Sequence, residues 1–149
     1  MPRTMGIDWG ERRIGVAVSD ELGFTCQGVA TVHRNKDGKD LAELDGLVKT
    51  WNVDRVIVGV PIRDDGTEGP TTPKAIAFAK LLRERFAPIP VETWDESNTS
   101  IEANRILKER GVNWKDAKKD VDRIAAAVML QSWLDERAPP APHGDDPLE

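Results

Sequence analysis

The stretch MGIDWGERRIGVAVSD, residues 5 to 20, decides the fold because it joins two apolar runs through a tight turn. Asp8 ends the first run, and Gly10 gives the turn a permissive backbone before the second run begins. A carboxylate at a strand tip is costly to bury unless another group pairs with it. The stretch therefore predicts a β-hairpin with an acidic group at its end, and it raises the question of what pairs with that group.

The composition describes a small acidic chain of 149 residues with a net charge of -5. This length is enough for one hydrophobic core. No window reaches the roughly 18 uninterrupted apolar residues of a membrane span, and the first residues lack the apolar segment of a signal peptide. The single cysteine, Cys26, excludes an internal disulfide and fits a reducing compartment. We expect a cytoplasmic protein with no membrane partner, whose surface as a whole does not attract nucleic acid.

Hydrophobic periodicity predicts a mixed α/β domain. Strands are predicted over residues 4–8, 13–19, 26–32, 54–61 and 88–94, and helices over residues 39–51, 73–86, 99–110 and 121–137. The first three strands have short connections and should form an antiparallel meander, whereas the last two should be buried and parallel. We predict a mixed five-stranded sheet, three antiparallel strands and then two parallel ones, with helices on both faces. This domain spans residues 1–137, and the Pro-rich acidic segment 138–149 is predicted to be disordered.

Acidic residues follow two of the strands and begin the last helix. Asp8 ends the first strand, and Asp95 and Glu96 come directly after the last one. The carboxyl ends of parallel strands meet at one edge of a sheet, so these acids should lie close together. Asp122 shares the core-facing side of the last helix with the apolar positions Ala125, Ala126, Met129, Leu130 and Trp133. The small residues 125–127 allow this helix to approach the sheet and to bring Asp122 near Asp8.

Each acid also has a purely structural explanation. Asp8 can begin a turn, Asp122 suits the first turn of a helix, and Thr99 or Ser100 can cap the helix that follows the last strand. In the catalytic explanation, clustered carboxylates repel one another unless cations bind. Oxygen ligands with no His or Cys nearby select hard cations, Mg²⁺ or Mn²⁺. Carboxylates that hold such ions suit phosphodiester hydrolysis.

Four segments in order resemble the YqgF/RuvX family of the RNase H-like superfamily, to which the resolvase RuvC belongs. The segments are GIDWGERRIGVAVSD, VIVGVPIRDDGTEG, VETWDESNTS and DRIAAAVMLQSWL, and the resemblance extends from about residue 5 to residue 136. It implies an RNase H fold and a nuclease for the 5′ end of precursor 16S ribosomal RNA. Holliday-junction resolution is the other activity that the resemblance implies.

The resemblance also implies the catalytic residues, namely Asp8, Glu96, Asp122 and Asp95. We expect Asp8, Glu96 and Asp122 to be the metal ligands. Glu96 is preferred over Asp95 because its side chain reaches further from the strand end, whereas Asp95 can point into the sheet or hold an outer contact. The family motif continues with Arg-Leu-Thr-Thr after this acidic pair, but Ser97 stands here at the position of the arginine. No role in this chain can rest on that arginine.

Basic and aromatic side chains near the acids are candidates for substrate contact. The predicted contacts are Arg12, Arg13, Thr99, Lys118, Lys119 and Arg123. The segment 105–123 is rich in basic residues and is a candidate surface for tracking a nucleic-acid backbone, although a solvated helix face explains it equally well. Trp9 and Trp114 are candidates for stacking on bases, whereas Trp51 and Trp133 are assigned to the core.

The functional alternatives differ in substrate and in class. We favour a metal-dependent nuclease acting on precursor ribosomal RNA, because single-stranded RNA needs only a narrow basic track. A Holliday-junction resolvase would act on branched DNA as a dimer, and the predicted helix faces leave no clear apolar stripe for dimerisation. We expect a monomer or weak homodimer that binds nucleic acid, with ribosomal particles as a further partner.

Two further alternatives come from other classes. The chain could be a non-catalytic RNA-binding or ribosome-assembly module, which a metal-dependent cleavage assay would separate from a nuclease. The hairpin is also similar to the phosphate-binding hairpin of actin-like and sugar-kinase-like ATPases. Those proteins place Thr or Ser after the glycine, whereas this chain has Glu11, whose carboxylate would repel a phosphate. The length is also too small for a two-lobed nucleotide cleft.

Overall fold

The computed structural model describes residues 2–60, 71–95 and 121–137. These residues form β1 (Arg3–Asp8), β2 (Arg13–Ser19), β3 (Cys26–His33), α1 (Lys39–Thr50), β4 (Val53–Val60), α2 (Thr72–Arg85), β5 (Val91–Asp95) and α3 (Val121–Arg137). For the described elements, the predicted boundaries agree within one residue except at the last strand. The predicted helix 99–110 and the predicted tail 138–149 lie outside the described residues. None of the helices in the described ranges has the length and apolar character needed to cross a membrane.

The five strands form one mixed sheet in the order β3-β2-β1-β4-β5. β2 is antiparallel to both of its neighbours, β1 and β3, as expected for strands joined by short turns. β4 lies beside β1 and β5 lies beside β4, and both of these pairs are parallel. β1 is therefore the central strand, and the predicted fold class is confirmed.

Helices cover both faces of the sheet. Alternate residues of the central strand, Met5 and Ile7, belong to the larger core beneath α1 and α2. Ala17 and Ile57 belong to the smaller core beneath α3. The predicted apolar stripe of α3 is confirmed, since its five members are all buried: Ala125, Ala126, Met129, Leu130 and Trp133.

β5 differs from the prediction in extent and in burial. The predicted strand begins at Pro88, whereas β5 begins at Val91, because the prolines at 88 and 90 have no N–H to donate to a ladder. β5 is also an edge strand within the described part of the sheet, so Thr93 and Asp95 are exposed and only Val91 is buried. β4, which lies between β1 and β5, is the buried parallel strand.

α3 approaches the sheet closely because glycines lie beneath it on three strands, Gly6 on β1, Gly15 on β2 and Gly28 on β3. A Cβ atom at Gly15 would lie 1.9 Å from the carbonyl oxygen of Asp122, and one at Gly28 would lie 2.7 Å from the carbonyl oxygen of Arg123. Any side chain at Gly15 would therefore push the first turn of α3 away from β2. The close approach predicted from the alanines of α3 is confirmed, and the glycines of the sheet make it possible.

Candidate active site

Asp8 ends the central strand on the face that α3 covers. Side chains alternate along a strand, and Gly6, two residues earlier, lies directly against Leu130 of α3. The residues paired with Asp8 on the neighbouring strands are both glycines, Gly15 on β2 and Gly59 on β4. The neighbouring strand positions therefore place no side chain beside the half-buried carboxyl group.

Asp122 lies in the first turn of α3, directly against β2. Its carbonyl oxygen occupies the space that a side chain at Gly15 would take. Gly15 is in turn the antiparallel partner of Asp8, and partners of this kind lie about 4.5–5.5 Å apart between α-carbons. The two aspartates therefore belong to one small region beneath the start of α3. The proximity of their carboxylates stays a prediction.

The carboxylate of Asp122 pairs with the guanidinium group of Arg13. The Arg13 Nε donates a hydrogen bond of 2.7 Å to Asp122 Oδ2, and the two residues are 109 positions apart in the chain. The side chains are 38% and 19% exposed, respectively, so water screens the pair only in part. Arg13 is predicted as a phosphate contact and Asp122 as a member of a repelling acidic cluster. In the structure these two charges are paired with each other, and both roles stay predictions.

Asp95 lies on the opposite face of the sheet from Asp8. It ends β5 and is paired with Val60, whose side chain belongs to the core beneath α1 and α2. Trp94, one residue earlier, packs on the α3 side, where its Nε1 donates a hydrogen bond of 2.7 Å to the Ser132 hydroxyl. The alternation of β5 thus separates Asp95 from the two aspartates beneath α3.

Several other predicted site residues lie outside the described residues. They are Glu96, Thr99, Lys118 and Lys119, together with Trp114 and all but the last three residues of the basic segment 105–123. Within the described ranges, no group of three or more His, Cys, Asp or Glu side chains is arranged to hold a metal ion. Among the predicted metal ligands, the structure describes Asp8 and Asp122, whereas Glu96 lies outside the described residues.

The remaining predicted contacts differ in their exposure. Arg12 is exposed in the turn between β1 and β2, and Arg123 packs its Cβ and backbone over Gly28.

The prediction that Trp9 stacks on bases is wrong. Trp9 is 9% exposed and packs in the core beneath α1 and α2, because alternation turns it away from the face that Asp8 occupies.

A second ion pair fixes the turn that follows β1. Arg34 donates from Nε to Asp40 Oδ2 at 3.1 Å and from Nη1 to the carbonyl oxygen of Gly10 at 3.3 Å. Its guanidinium also lies 5.4 Å from the ring centre of Trp9. Asp40 is 4% exposed, so this pairing offsets the cost of burying its charge. The sequence predicted neither member of the pair, although an Asp in the first turn of a helix is a recognisable pattern.

A groove of about 770 Å³ lies between β3 and α3, with Arg123 and Gln131 in its lining. Cys26 also lines this groove, and its thiol donates to the carbonyl oxygen of Ala127 at 3.1 Å. Burial raises the pKa of this thiol to about 12, and the negative charge of Asp135 adds to the effect. Cys26 is therefore a protonated thiol at neutral pH and not a nucleophile.

Solved structures with this architecture include Holliday-junction resolvases. Thermus thermophilus RuvC in complex with a Holliday junction substrate has a TM-score of 0.54 and 14% identity, over 92% of this chain and 96% of that one. The fowlpox virus Holliday junction resolvase has a TM-score of 0.56 and 14% identity, over 90% of this chain and 99% of that one. The fold is that of the RNase H-like resolvases.

Sequence comparisons narrow this class to one family. The profile described as "RuvX: Holliday junction resolvase" matches residues 2–136. A "Putative pre-16S rRNA nuclease" from Anaeromyxobacter dehalogenans (strain 2CP-C) is 46% identical over 137 residues, 92% of this chain and 99% of that protein. A protein of the same name from Syntrophus aciditrophicus (strain SB) is 45% identical over 133 residues, 89% of this chain and 88% of that protein. The chain belongs to the RuvX family of nucleases, which confirms the resemblance and the enzymatic interpretation.

Proposed function

We propose that this nuclease hydrolyses phosphodiester bonds at the 5′ end of precursor 16S ribosomal RNA in the cytoplasm, with Mg²⁺ or Mn²⁺ as its cofactor. The observation that carries the proposal is the placement of Asp8 and Asp122 on one face of the sheet, with Gly15 adjoining both. The named relatives at 45% and 46% identity support the choice of substrate.

The donor groups beneath α3 fit a hard cation. Carboxylate oxygens are the ligands that Mg²⁺ and Mn²⁺ prefer, and nucleases with the fold of RuvC generally use divalent ions. Asp8 and Asp122 would hold the ion, and the absence of a side chain at Gly15 lets the backbone of Asp122 lie against the residue that pairs with Asp8. A bound ion would supply Lewis-acid polarisation of the phosphate and activation of water.

We propose Glu96 as the third ligand in preference to Asp95. Asp95 is paired with Val60 on the side of α1 and α2, whereas Trp94 is on the side of α3. The face that Asp95 occupies therefore supports the longer acidic side chain as the ligand.

The role that we propose for the basic side chains is to bind the nucleic-acid backbone. Arg12 is exposed beside the tip of β1, and Arg123 lines the groove between β3 and α3. Guanidinium groups form charge-assisted hydrogen bonds with phosphates, which orient a strand without reading its sequence. Thr99, Lys118 and Lys119 remain predicted contacts of the same kind.

Holliday-junction resolution is the second candidate, and one observation favours it. Leu22 and Phe24, in the turn between β2 and β3, are 71% and 61% exposed. The sequence argument against a dimer assumed that no apolar surface is left over, whereas these side chains form an exposed apolar pair. A resolvase needs two sites held at a fixed separation by a dimer, and such a pair suits a weak contact between two copies.

The catalytic proposal is tested with Asp8→Asn, which retains the size of the side chain but loses the anionic ligand. We expect an unchanged melting temperature and a loss of cleavage exceeding the roughly 10–100-fold typical of outer-shell partners. Glu96→Gln should cost more activity than Asp95→Asn in the same assay. Asp54→Asn is the matched control, because it removes an exposed carboxylate at the opposite end of the sheet. Wild-type cleavage by a folded Asp8→Asn protein would refute the proposal.

The substrate is tested by assaying a precursor 16S RNA fragment and a synthetic four-way DNA junction side by side, in Mg²⁺ and in Mn²⁺. Light scattering on the same samples gives the molecular mass. We expect cleavage near the RNA 5′ end by a monomer or weak homodimer. Symmetric junction cleavage by a stable dimer, with the RNA left uncut, would favour the resolvase instead.

A further inference from the structure

The ion pair between Arg13 and Asp122 joins two elements that are distant in the chain. Arg13 begins β2, and Asp122 lies in the first turn of α3. Their hydrogen bond uses the Nε of the guanidinium at 2.7 Å. A guanidinium has five N–H donors, and within the described part of the chain the only hydrogen bond shown for this one is that from Nε. The terminal nitrogens of Arg13 are thus available to another acceptor.

The position of Arg13 conflicts with cation binding by Asp122. The guanidinium already bonds to Oδ2, one of the two oxygens that Asp122 could offer to a metal ion. Its positive charge would also lie close to the incoming cation and would repel it. A divalent ion at Oδ2 would therefore lie beside the guanidinium charge until Arg13 moved away, and the electrostatic potential at the site is less negative while the pair is intact.

The substrate provides a second anion for the same guanidinium. The side chain of Arg13 is 38% exposed, so it can turn towards solvent without breaking the core. Arg12, the adjacent residue, is exposed at the same edge of the sheet. A guanidinium that leaves a carboxylate loses little when a phosphate oxygen replaces it, since both are charge-assisted acceptors.

We propose that Arg13 is an exchangeable counter-ion, which pairs with Asp122 in the metal-free protein and transfers to a phosphate of the substrate when a divalent ion occupies Asp122. This inference rests on the proposed function, because it takes Asp122 as a ligand. It makes Arg13 a positioning residue for Asp122 before the metal binds and a phosphate contact afterwards. Metal and nucleic acid should then support each other's binding through this one side chain.

The exchange predicts opposite effects of one substitution on two affinities. Arg13→Gln removes the competing charge, so we expect it to bind Mn²⁺ about three- to tenfold more tightly than wild type in calorimetry. The same variant should bind a short fluorescent single-stranded RNA about three- to tenfold more weakly in Ca²⁺, measured by anisotropy. Arg13→Lys retains the charge and should keep both affinities closer to wild type. A merely structural role would not strengthen metal binding.

Arg85→Gln is the matched control, because Arg85 forms an ion pair with Asp45 in which each side chain is 37% exposed. This pair joins α1 to α2, on the face of the sheet opposite to Asp8 and Asp122. It should change neither affinity. If wild type binds Mn²⁺ and Arg13→Gln binds it equally or more weakly, the exchange is overturned while the proposed function stands. If neither wild type nor any variant binds Mn²⁺, the proposed function and the exchange are both overturned.

Discussion

Replacing Gly15 by alanine tests whether this glycine sets the position of Asp122. The new Cβ atom would lie 1.9 Å from the carbonyl oxygen of Asp122, 2.5 Å from its carbonyl carbon and 3.2 Å from its α-carbon. These are backbone atoms of a helix, so no side-chain rotation can relieve the contact. The first turn of α3 must move away from β2 by about 1 Å to restore even a 3.0 Å separation.

The size of this displacement determines the expected losses. Overpacking of this kind costs about 1–3 kcal/mol of the free energy of unfolding. A misplacement of about 1 Å at a reacting centre costs on the order of 10²-fold in rate. The Arg13 side chain, whose Nε lies 2.7 Å from Asp122 Oδ2, would have to follow this movement to keep that hydrogen bond. We therefore expect Gly15→Ala to be destabilised by about 1–3 kcal/mol and to cleave about 10²-fold more slowly.

Urea denaturation measures the first loss, and cleavage of the RNA fragment under saturating Mg²⁺ measures the second. Gly46→Ala is the matched control, because Gly46 is exposed on α1 and has no atom within 4 Å of an added Cβ. Alanine in a helix interior is favoured over glycine by about 0.5–1 kcal/mol, so this variant should gain stability and retain activity. If Gly15→Ala matched Gly46→Ala in both assays, α3 would not approach β2 as described.

Two predictions concern groups outside the catalytic proposal. Arg34→Met should lower the free energy of unfolding, measured in urea, by about 2–3 kcal/mol, because it leaves the buried Asp40 without its guanidinium partner. Arg34→Lys keeps a positive charge and should lower this free energy less. Equal decreases in the two variants would show that the charge of Arg34 is not what matters. Iodoacetamide at pH 8 should modify Cys26 about a thousandfold more slowly in the folded protein than in urea, because burial raises the thiol pKa to about 12. Similar rates in the folded and the unfolded protein would contradict this raised pKa. Since the folded state raises this pKa, the associated stability is fully present below the pKa of an unfolded thiol and is lost as the pH rises towards 12.

Most of the fold could be predicted because its signals are local. The hairpin of β1 and β2 follows from two apolar runs around Gly10, and the inward face of α3 follows from helical spacing. β5 was predicted less well, since the number of neighbours a strand acquires depends on the whole sheet. Ile89 and Val91 indicate burial in either case, and only the sheet order shows that β5 has one neighbour within the described residues.

The candidate site could be predicted only in part, and the reasons are physical. The placement of Asp8 and Asp122 on one face follows from strand and helix periods, which a sequence displays. The error at Trp9 was avoidable, because adjacent strand residues face opposite sides and Asp8 already faces α3. The bond between Arg13 and Asp122 was not predictable, since it depends on the distance between two elements 109 residues apart.

That distance is set by residues that contribute no functional group. On the face beneath α1 and α2, the core consists of side chains such as Ile14 and Leu82, so exchanges that conserve volume can be absorbed by repacking. Beneath α3, the contacts at Gly15 and Gly28 are with helix backbone, which cannot repack. A substitution that adds a given volume should therefore displace Asp122 when it lies beneath α3, but not when it lies beneath α1 and α2. Asp8 and Asp122 indicate the chemistry of the site, whereas Gly15 and Gly28 determine how closely α3 can bring Asp122 to the sheet that carries Asp8.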